Sequence, residues 1–150
     1  MRQVGIEMAY WLFQGNPKYY RVAEAIRDLN EMTWIVTRYA RDIVAGDEAL
    51  IWASGKDGGI YAMAEVTQPP RVIAEGAQEG GRWISSDRRE GTKRVMIRFV
   101  RKLQDQPVGR ERVLGDPPLS GLAVLRQPNA TNYKVTPEQW QRVQELIGSA

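Results

Sequence analysis

The sequence has no cysteine and no histidine. The first absence removes both a disulfide framework and a thiol nucleophile, and the second removes the usual general base and the commonest metal ligand. Zinc sites, Ser-His-Asp triads and Cys-His pairs cannot be built from such a chain, so only carboxylate or lysine chemistry is left open. The carboxylates do not form a convincing set. Asp87, Glu90, Asp105 and Glu111 fall in polar segments with no apolar pocket evident to raise a pKa. No catalytic residue, metal ligand or cofactor is expected. The sequence also lacks a run of about 18 apolar residues that would span a bilayer, and its start lacks the charged, apolar and small-residue regions of a signal peptide. A cytoplasmic protein with no membrane association is the expectation.

What is present is one domain's worth of core: 150 residues at 43% hydrophobic content, read as a single domain over 1–150. The net charge of +3 permits a polyanionic partner without demanding one. Ala9 to Phe13 is a short apolar strand, and Val22, Ile26 and Leu29 recur at helical spacing over residues 19–29. A second short helix is expected over residues 39–45. From Glu48 the period becomes two: "EALIWAS" and "GIYAMAEV" are strands joined by the glycine-rich turn "GKDGG". Residues 67–92 are rich in Pro, Gly, Arg and Glu and read as a long surface loop, before the strand "KRVMIRFVRKL"; residues 106–127 are punctuated by Pro and Gly and leave their structure open. Thr136-Pro137-Glu138-Gln139 predicts a capped helix start, with Trp140, Val143 and Ile147 on one face. The sum is α+β, a curved, mostly antiparallel sheet or small barrel with helices against it.

Five tryptophans, at 11, 34, 52, 83 and 140, exceed what a core of this size needs. Trp11 and Trp140 sit in apolar patterns and read as core. Trp83, in the polar loop "EGGRWISSD", either covers a ligand or folds back as a lid on the core. Another unusual stretch is "YWLFQGNPKYY", where a strand stops in two amides and a glycine between aromatics. On the residues alone, Asn16-Pro17 reads first as an Asx-type turn that caps the following helix.

The opening "YWLF..NP", the segment "TWIVTRYARDIVAGDEALIWASGKDGGIYAMAEV" and the closing "RQPNATNYKVTPEQWQRVQELI" together resemble the EVE domain, of the PUA-like superfamily and related to YTH domains. The resemblance implies a PUA-like pseudo-barrel of mostly antiparallel strands flanked by helices. It also implies a pocket for one flipped, modified nucleobase, foremost a modified cytosine such as 5-methylcytosine in DNA. In that pocket Asn16 resembles the residue that meets the base edge, with Gln14 beside it; Gly15 permits close backbone approach and the next helix N-terminus attracts a phosphate. By the same resemblance Trp34 stacks on the base, Ile35 supplies a main-chain bond, and Trp83 supplies the opposite face. Thr37, Arg38 and Tyr39 line the mouth, although "VTRYARD" departs from the "VRNYQAR" of many EVE proteins. Trp52 and Ser54 lie on the strand beneath, Trp52 as lining or as core, and Asn132 lies in a turn near the pocket. Along "KRVMIRFVRKL", Arg94, Arg98 and Lys102 alternate with Val95, Ile97 and Phe99, and form either a phosphate-binding stripe or a solvated face.

The partner implied is nucleic acid with a modified base, DNA favoured over RNA, together with a nuclease or NTPase partner. Two other readings stay open: the recognition domain of a modification-dependent restriction nuclease, and an RNA-binding or RNA-modification accessory protein that reads methylated adenine.

Overall fold

The computed structural model describes residues 8–84 and 91–148. In chain order the elements are β1 (Tyr10–Gly15), α1 (Val22–Asp28), β2 (Glu31–Ile35), β3 (Glu48–Ala53), β4 (Gly59–Val72), α2 (Ala77–Gly80), β5 (Lys93–Lys102), β6 (Val108–Gly109), α3 (Arg110–Leu114), α4 (Ala123–Arg126), β7 (Asn132–Val135) and α5 (Pro137–Gly148). Among the described residues seven strands form one sheet in the order β2-β5-β4-β3-β1-β7, with β6 paired to β4. Every pairing is antiparallel except that of β1 with β3.

β1 and β3 lie inside the sheet and are covered on both sides, which explains their unbroken apolar sequences "YWLF" and "ALIWA". Alternate residues serve different cores. Trp11, Phe13, Ala49 and Ile51 join Val22, Ile26, Val95 and Ile97 on one side; Leu12, Leu50 and Trp52 join Tyr133, Trp140 and Val143 on the other. α5 closes that second core. Its start is the expected capping box: Gln139 N donates to Thr136 Oγ1 at 3.1 Å, and Thr136 N donates to Gln139 Oε1 at 3.0 Å. Trp140 then stacks on Tyr10 with ring centroids 4.7 Å apart.

The mixed α+β class and the helix-flanked sheet match the expectation, but the sheet does not close into a barrel. β2 and β7 are its two ends. A side chain spans the seam between them instead. Asn132 on β7 is 0% exposed. Its Nδ2 donates to Ile35 O at 3.0 Å, and its Oδ1 accepts from Thr37 N at 2.8 Å. Arg38 adds a bond from Nη2 to Asn132 O at 2.8 Å.

Other elements depart from the sequence reading. Residues 39–45 make a single helical turn, with Ile43 N bonded to Tyr39 O at 3.1 Å. Tyr39 itself sits at φ 63°, and Val44 N is taken by Asp47 Oδ2 at 3.0 Å, so the turn does not propagate. Residues 67–92 are not simply a surface loop. β4 continues to Val72 past Pro69 and Pro70, with register shifts between Val66 and Gln68 and between Gln68 and Arg71 that accommodate residues unable to donate to a ladder. α2 follows, and Trp83 then bridges to Tyr20. Among the described residues no helix is long and apolar enough to cross a membrane.

Candidate functional site

β2 is an end strand, so half of its backbone polar groups face no neighbour in the sheet. Phe99 N donates to Asn30 O and Val36 N to Lys93 O, both at 2.9 Å. With the register running from Glu31↔Arg98 to Ile35↔Arg94, the alternation of an antiparallel ladder points the amides of Thr33 and Ile35 away from β5. A cavity of ≈ 380 Å³ lies along this free edge, at the small end of the range of about 300–1,000 Å³ for small-molecule sites. Four consecutive residues, Met32 to Ile35, line it, as they must where a strand presents its edge. The end of β1 and the turn after it supply Gln14, Gly15 and Asn16; residues 128–131, Ser54, Glu75 and Trp83 complete the lining. Thr33 and Arg94, 2% and 4% exposed, form the deep end, and the exposed Asn16, Tyr19 and Asn129 mark the mouth.

The deep end is a fixed polar network. Glu79 Oε2 accepts from Thr33 N at 2.8 Å and from Thr33 Oγ1 at 2.9 Å, while Glu79 Oε1 accepts from Gly76 N at 2.9 Å. One carboxylate thus satisfies the β2 edge and the start of α2 together. Tyr20 donates its hydroxyl to Glu79 O at 2.7 Å. Burial pushes the Tyr20 phenol up, and the charges of Glu79 and Glu75 push it further, so the hydroxyl remains a proton donor. Arg94 Nη1 donates to Thr33 Oγ1 at 3.2 Å and lies 3.4 Å from Glu75 Oε2. Trp83 Nε1 donates to the same Glu75 oxygen at 2.7 Å, and its ring meets Tyr20 edge-on at 4.8 Å. Of the edge groups of β2, the Thr33 amide goes to Glu79 and the Ile35 carbonyl to Asn132. The Ile35 amide is the donor left beside the cavity.

Six of the residues expected in a base pocket line this cavity: Gln14, Asn16, Trp34, Ile35, Ser54 and Trp83. The segment carrying Trp83 folds over the cavity, held by Arg21 N to Arg82 O at 3.0 Å and Ile84 N to Tyr19 O at 2.8 Å. Asn16 is a turn residue and a cavity residue at once. Its Oδ1 accepts from Lys18 N at 2.9 Å, an Asx turn that leaves Nδ2 at the mouth. It does not cap α1, which begins at Val22 after an intervening turn, so the expected helix N-terminus is not at the mouth. Gln14 Nε2 is spent on Pro128 O and Ala130 O, at 2.8 and 2.6 Å, and holds the 128–131 wall. Gly15 admits protein rather than ligand: a Cβ there would lie 2.7 Å from Val22 Cγ2 and 3.1 Å from Trp34 Cζ2.

The other five expected residues lie off the cavity. Trp52 is buried in the second core with Leu50 and Tyr133. Asn132 sits on β7, not in a turn, and acts on the cavity through Ile35. Arg38 lies between the rings of Tyr39 and Tyr133, 5.2 and 5.4 Å from their centroids, and Tyr39 packs on Trp11 at 5.3 Å. Thr37 is exposed and bonds Asn132.

The basic stripe is corrected in one member. Arg94 is buried in the cavity network because the segment after β4 covers that end of the sheet, and it cannot meet an external phosphate. Arg98 is exposed, but its neighbours across the strands are Glu31 and Glu65, and Glu65 Oε2 lies 3.4 Å away. Lys102 Nζ bonds Arg27 O at 3.3 Å. Three residues that the sequence reading did not single out, Thr33, Glu75 and Glu79, build the deep end. The one available signal was Glu79 three residues after Gly76, the spacing of a helix cap. Among the described residues no group of three or more acidic side chains could hold a metal ion; Asp87 and Glu90 lie outside the described residues.

A family model for the EVE domain matches residues 9–146. No curated protein matches the chain. Among solved structures, a hypothetical protein from Leishmania major superposes with a TM-score of 0.71 at 18% identity, covering 95% of this chain and 96% of that one. A protein from Pseudomonas putida gives 0.68 at 22% identity, with coverages of 92% and 99%. Human THYN1, in complex with 5-methylcytosine containing DNA, gives 0.65 at 16% identity, with coverages of 92% and 96%.

Proposed function

From a chain that belongs to the EVE domain family, we propose a recognition module that takes one modified nucleobase of a DNA strand into the cavity beside β2 and performs no chemistry on it. The observation that carries this reading is a cavity lined by both Trp34 and Trp83 beside the end strand β2, whose Ile35 amide points away from β5. A base removed from its stack loses a few kcal/mol, which aromatic faces and hydrogen bonds to its edge must offset. Trp34 and Trp83 offer the faces; the Ile35 amide and Asn16 Nδ2 offer donors. Human THYN1, of the same fold, is seen with 5-methylcytosine containing DNA, which supports a modified cytosine in DNA as the ligand.

The test is affinity for otherwise identical oligonucleotides with and without one modified base. Asn16→Ala is expected to keep most of the binding and to lose discrimination, because a base edge left without its partner costs roughly 1–3 kcal/mol. Normal selectivity in a folded Asn16→Ala protein would reduce "QGNP" to a turn.

Phosphate contacts belong to a groove that shares Asn16 and Ser54 with the cavity and carries Lys18, Arg21 and Lys56. Lys56→Ala should weaken binding to all sequences alike and lower the salt slope by about one unit. Arg98→Ala, on the acid-flanked face, should leave the slope as it was; the opposite pattern would restore the β5 stripe.

A further inference from the structure

The deep end of the cavity carries a carboxylate whose geometry bears on which base can enter. Glu75 is anchored through one oxygen. Oε2 receives Trp83 Nε1 at 2.7 Å and stands 3.4 Å from Arg94 Nη1. Oε1 makes no hydrogen bond to a described residue, while the side chain as a whole is 13% exposed and lines the cavity. A lone carboxylate would repel a nucleic acid, but this one is offset by a guanidinium buried beside it. Arg94 is held in turn by Thr33 Oγ1 at 3.2 Å, and Thr33 by Glu79, so the pair stands on a network that cannot easily swing away.

An ionised carboxylate accepts hydrogen bonds and cannot donate them. Set against a base edge, it matches an exocyclic amino group and opposes a carbonyl, which is the pairing of acidic side chains with the cytosine N4 amine. We propose that Glu75 Oε1 is the acceptor by which the cavity selects bases bearing an exocyclic amine, cytosine or adenine, over thymine and uracil. This rests on the nucleobase reading above. Its role differs from that of Asn16 and Ile35, which offer donors to ring nitrogens and carbonyls, whereas Glu75 decides which heteroatom may occupy the amino position. Tying Trp83 to the other oxygen also sets the aromatic face and the edge acceptor by one side chain, so a stacked base meets Glu75 in a fixed orientation.

The experiment compares single strands that differ at one nucleotide: 5-methylcytosine, thymine, the 5-methylpyrimidin-2-one that lacks the amine, and plain cytosine. 5-Methylcytosine and thymine share the methyl group, so their ratio isolates the edge. The protein should bind 5-methylcytosine roughly ten- to hundredfold more tightly than thymine, and removal of the amine should cost about as much. Glu75→Gln keeps an oxygen for Trp83 and turns an NH₂ into the cavity. In that variant the ratio should fall to about one or invert toward thymine. Equal binding of 5-methylcytosine and thymine by the unaltered protein overturns the proposal, as does an unchanged ratio in a folded Glu75→Gln variant. If that variant does not fold, the strand without the amine decides on the unaltered protein, and indifference to its loss overturns the proposal. Equal binding of cytosine and 5-methylcytosine would sink the modified-base reading while leaving the edge preference intact, so the two failures are distinguishable.

Discussion

Asn132→Asp should lower the melting temperature by on the order of 10 °C, although the two side chains have nearly the same shape. The amide is fully buried and works in both directions, donating to Ile35 O at 3.0 Å and accepting from Thr37 N at 2.8 Å. An aspartate can still accept from Thr37. It has no hydrogen for Ile35 O while ionised, and it brings a charge into the seam; a protonated aspartate must have its pKa raised to exist there. An unsatisfied buried partner costs about 1–3 kcal/mol, more when a charge is involved. A domain of this size loses about 2–4 °C of melting temperature for each kcal/mol. Asn132→Ala should be similarly damaging, since it strands both Ile35 O and Thr37 N. Thermal unfolding of the two variants checks this. If the Asn132→Asp variant melted like the unaltered protein while the Asn132→Ala variant did not, Asn132 would be filling space, and the seam between β2 and β7 would be held by something else. A folded fraction of either variant should also bind oligonucleotides less well, because Ile35 would no longer be fixed at the cavity.

The sequence pattern disclosed the covered parts of this fold better than its edges. β1 and β3 were legible because burial on both faces leaves little choice but apolar residues, and α5 because its box and its Trp140, Val143 and Ile147 stripe agree. β2 was harder. Met32, Trp34 and Val36 do alternate as a strand requires, but the run is five residues long and follows a helix directly, so the period has little length in which to declare itself. Arg94 fails for a different reason. Alternation along β5 puts it opposite Val95 and Ile97, and only the return of residues 72–84 over that end of the sheet turns an outward cation into a buried one. Family resemblance puts Asn132 in a turn; its strand position makes sense only once a distant seam needs a two-way hydrogen bonder. Among the cavity residues, Trp34 and Asn16 came from family resemblance, and Glu75 from neither pattern nor resemblance, since a glutamate in a polar segment carries no mark of the tryptophan and arginine that will gather around it.

Trp34→Ala is the substitution expected to damage binding most, and it must be separated from its effect on the fold. Trp34 is only 6% exposed, and its ring packs so closely on β1 that a Cβ at Gly15 would meet Cζ2 at 3.1 Å. Truncation should therefore cost roughly 3–5 kcal/mol of stability, as for other buried tryptophans. The cavity would also lose a wall. Stacking on an aromatic face is worth about 1–3 kcal/mol per base and tolerates any base, so affinity should fall some ten- to hundredfold for modified and plain strands alike, with their ratio little changed. That signature is opposite to the one expected of Asn16→Ala, where the ratio falls and the overall affinity mostly survives. Trp34→Phe provides the bridge. It keeps an aromatic face on the cavity while giving up part of the indole that packs on β1 at Gly15, and it should recover more of the binding than of the stability. Affinity and melting temperature measured on the same preparations decide between the roles. If the Ala variant unfolds more easily but its folded fraction binds at full strength, Trp34 belongs to the core alone and the base must stack elsewhere.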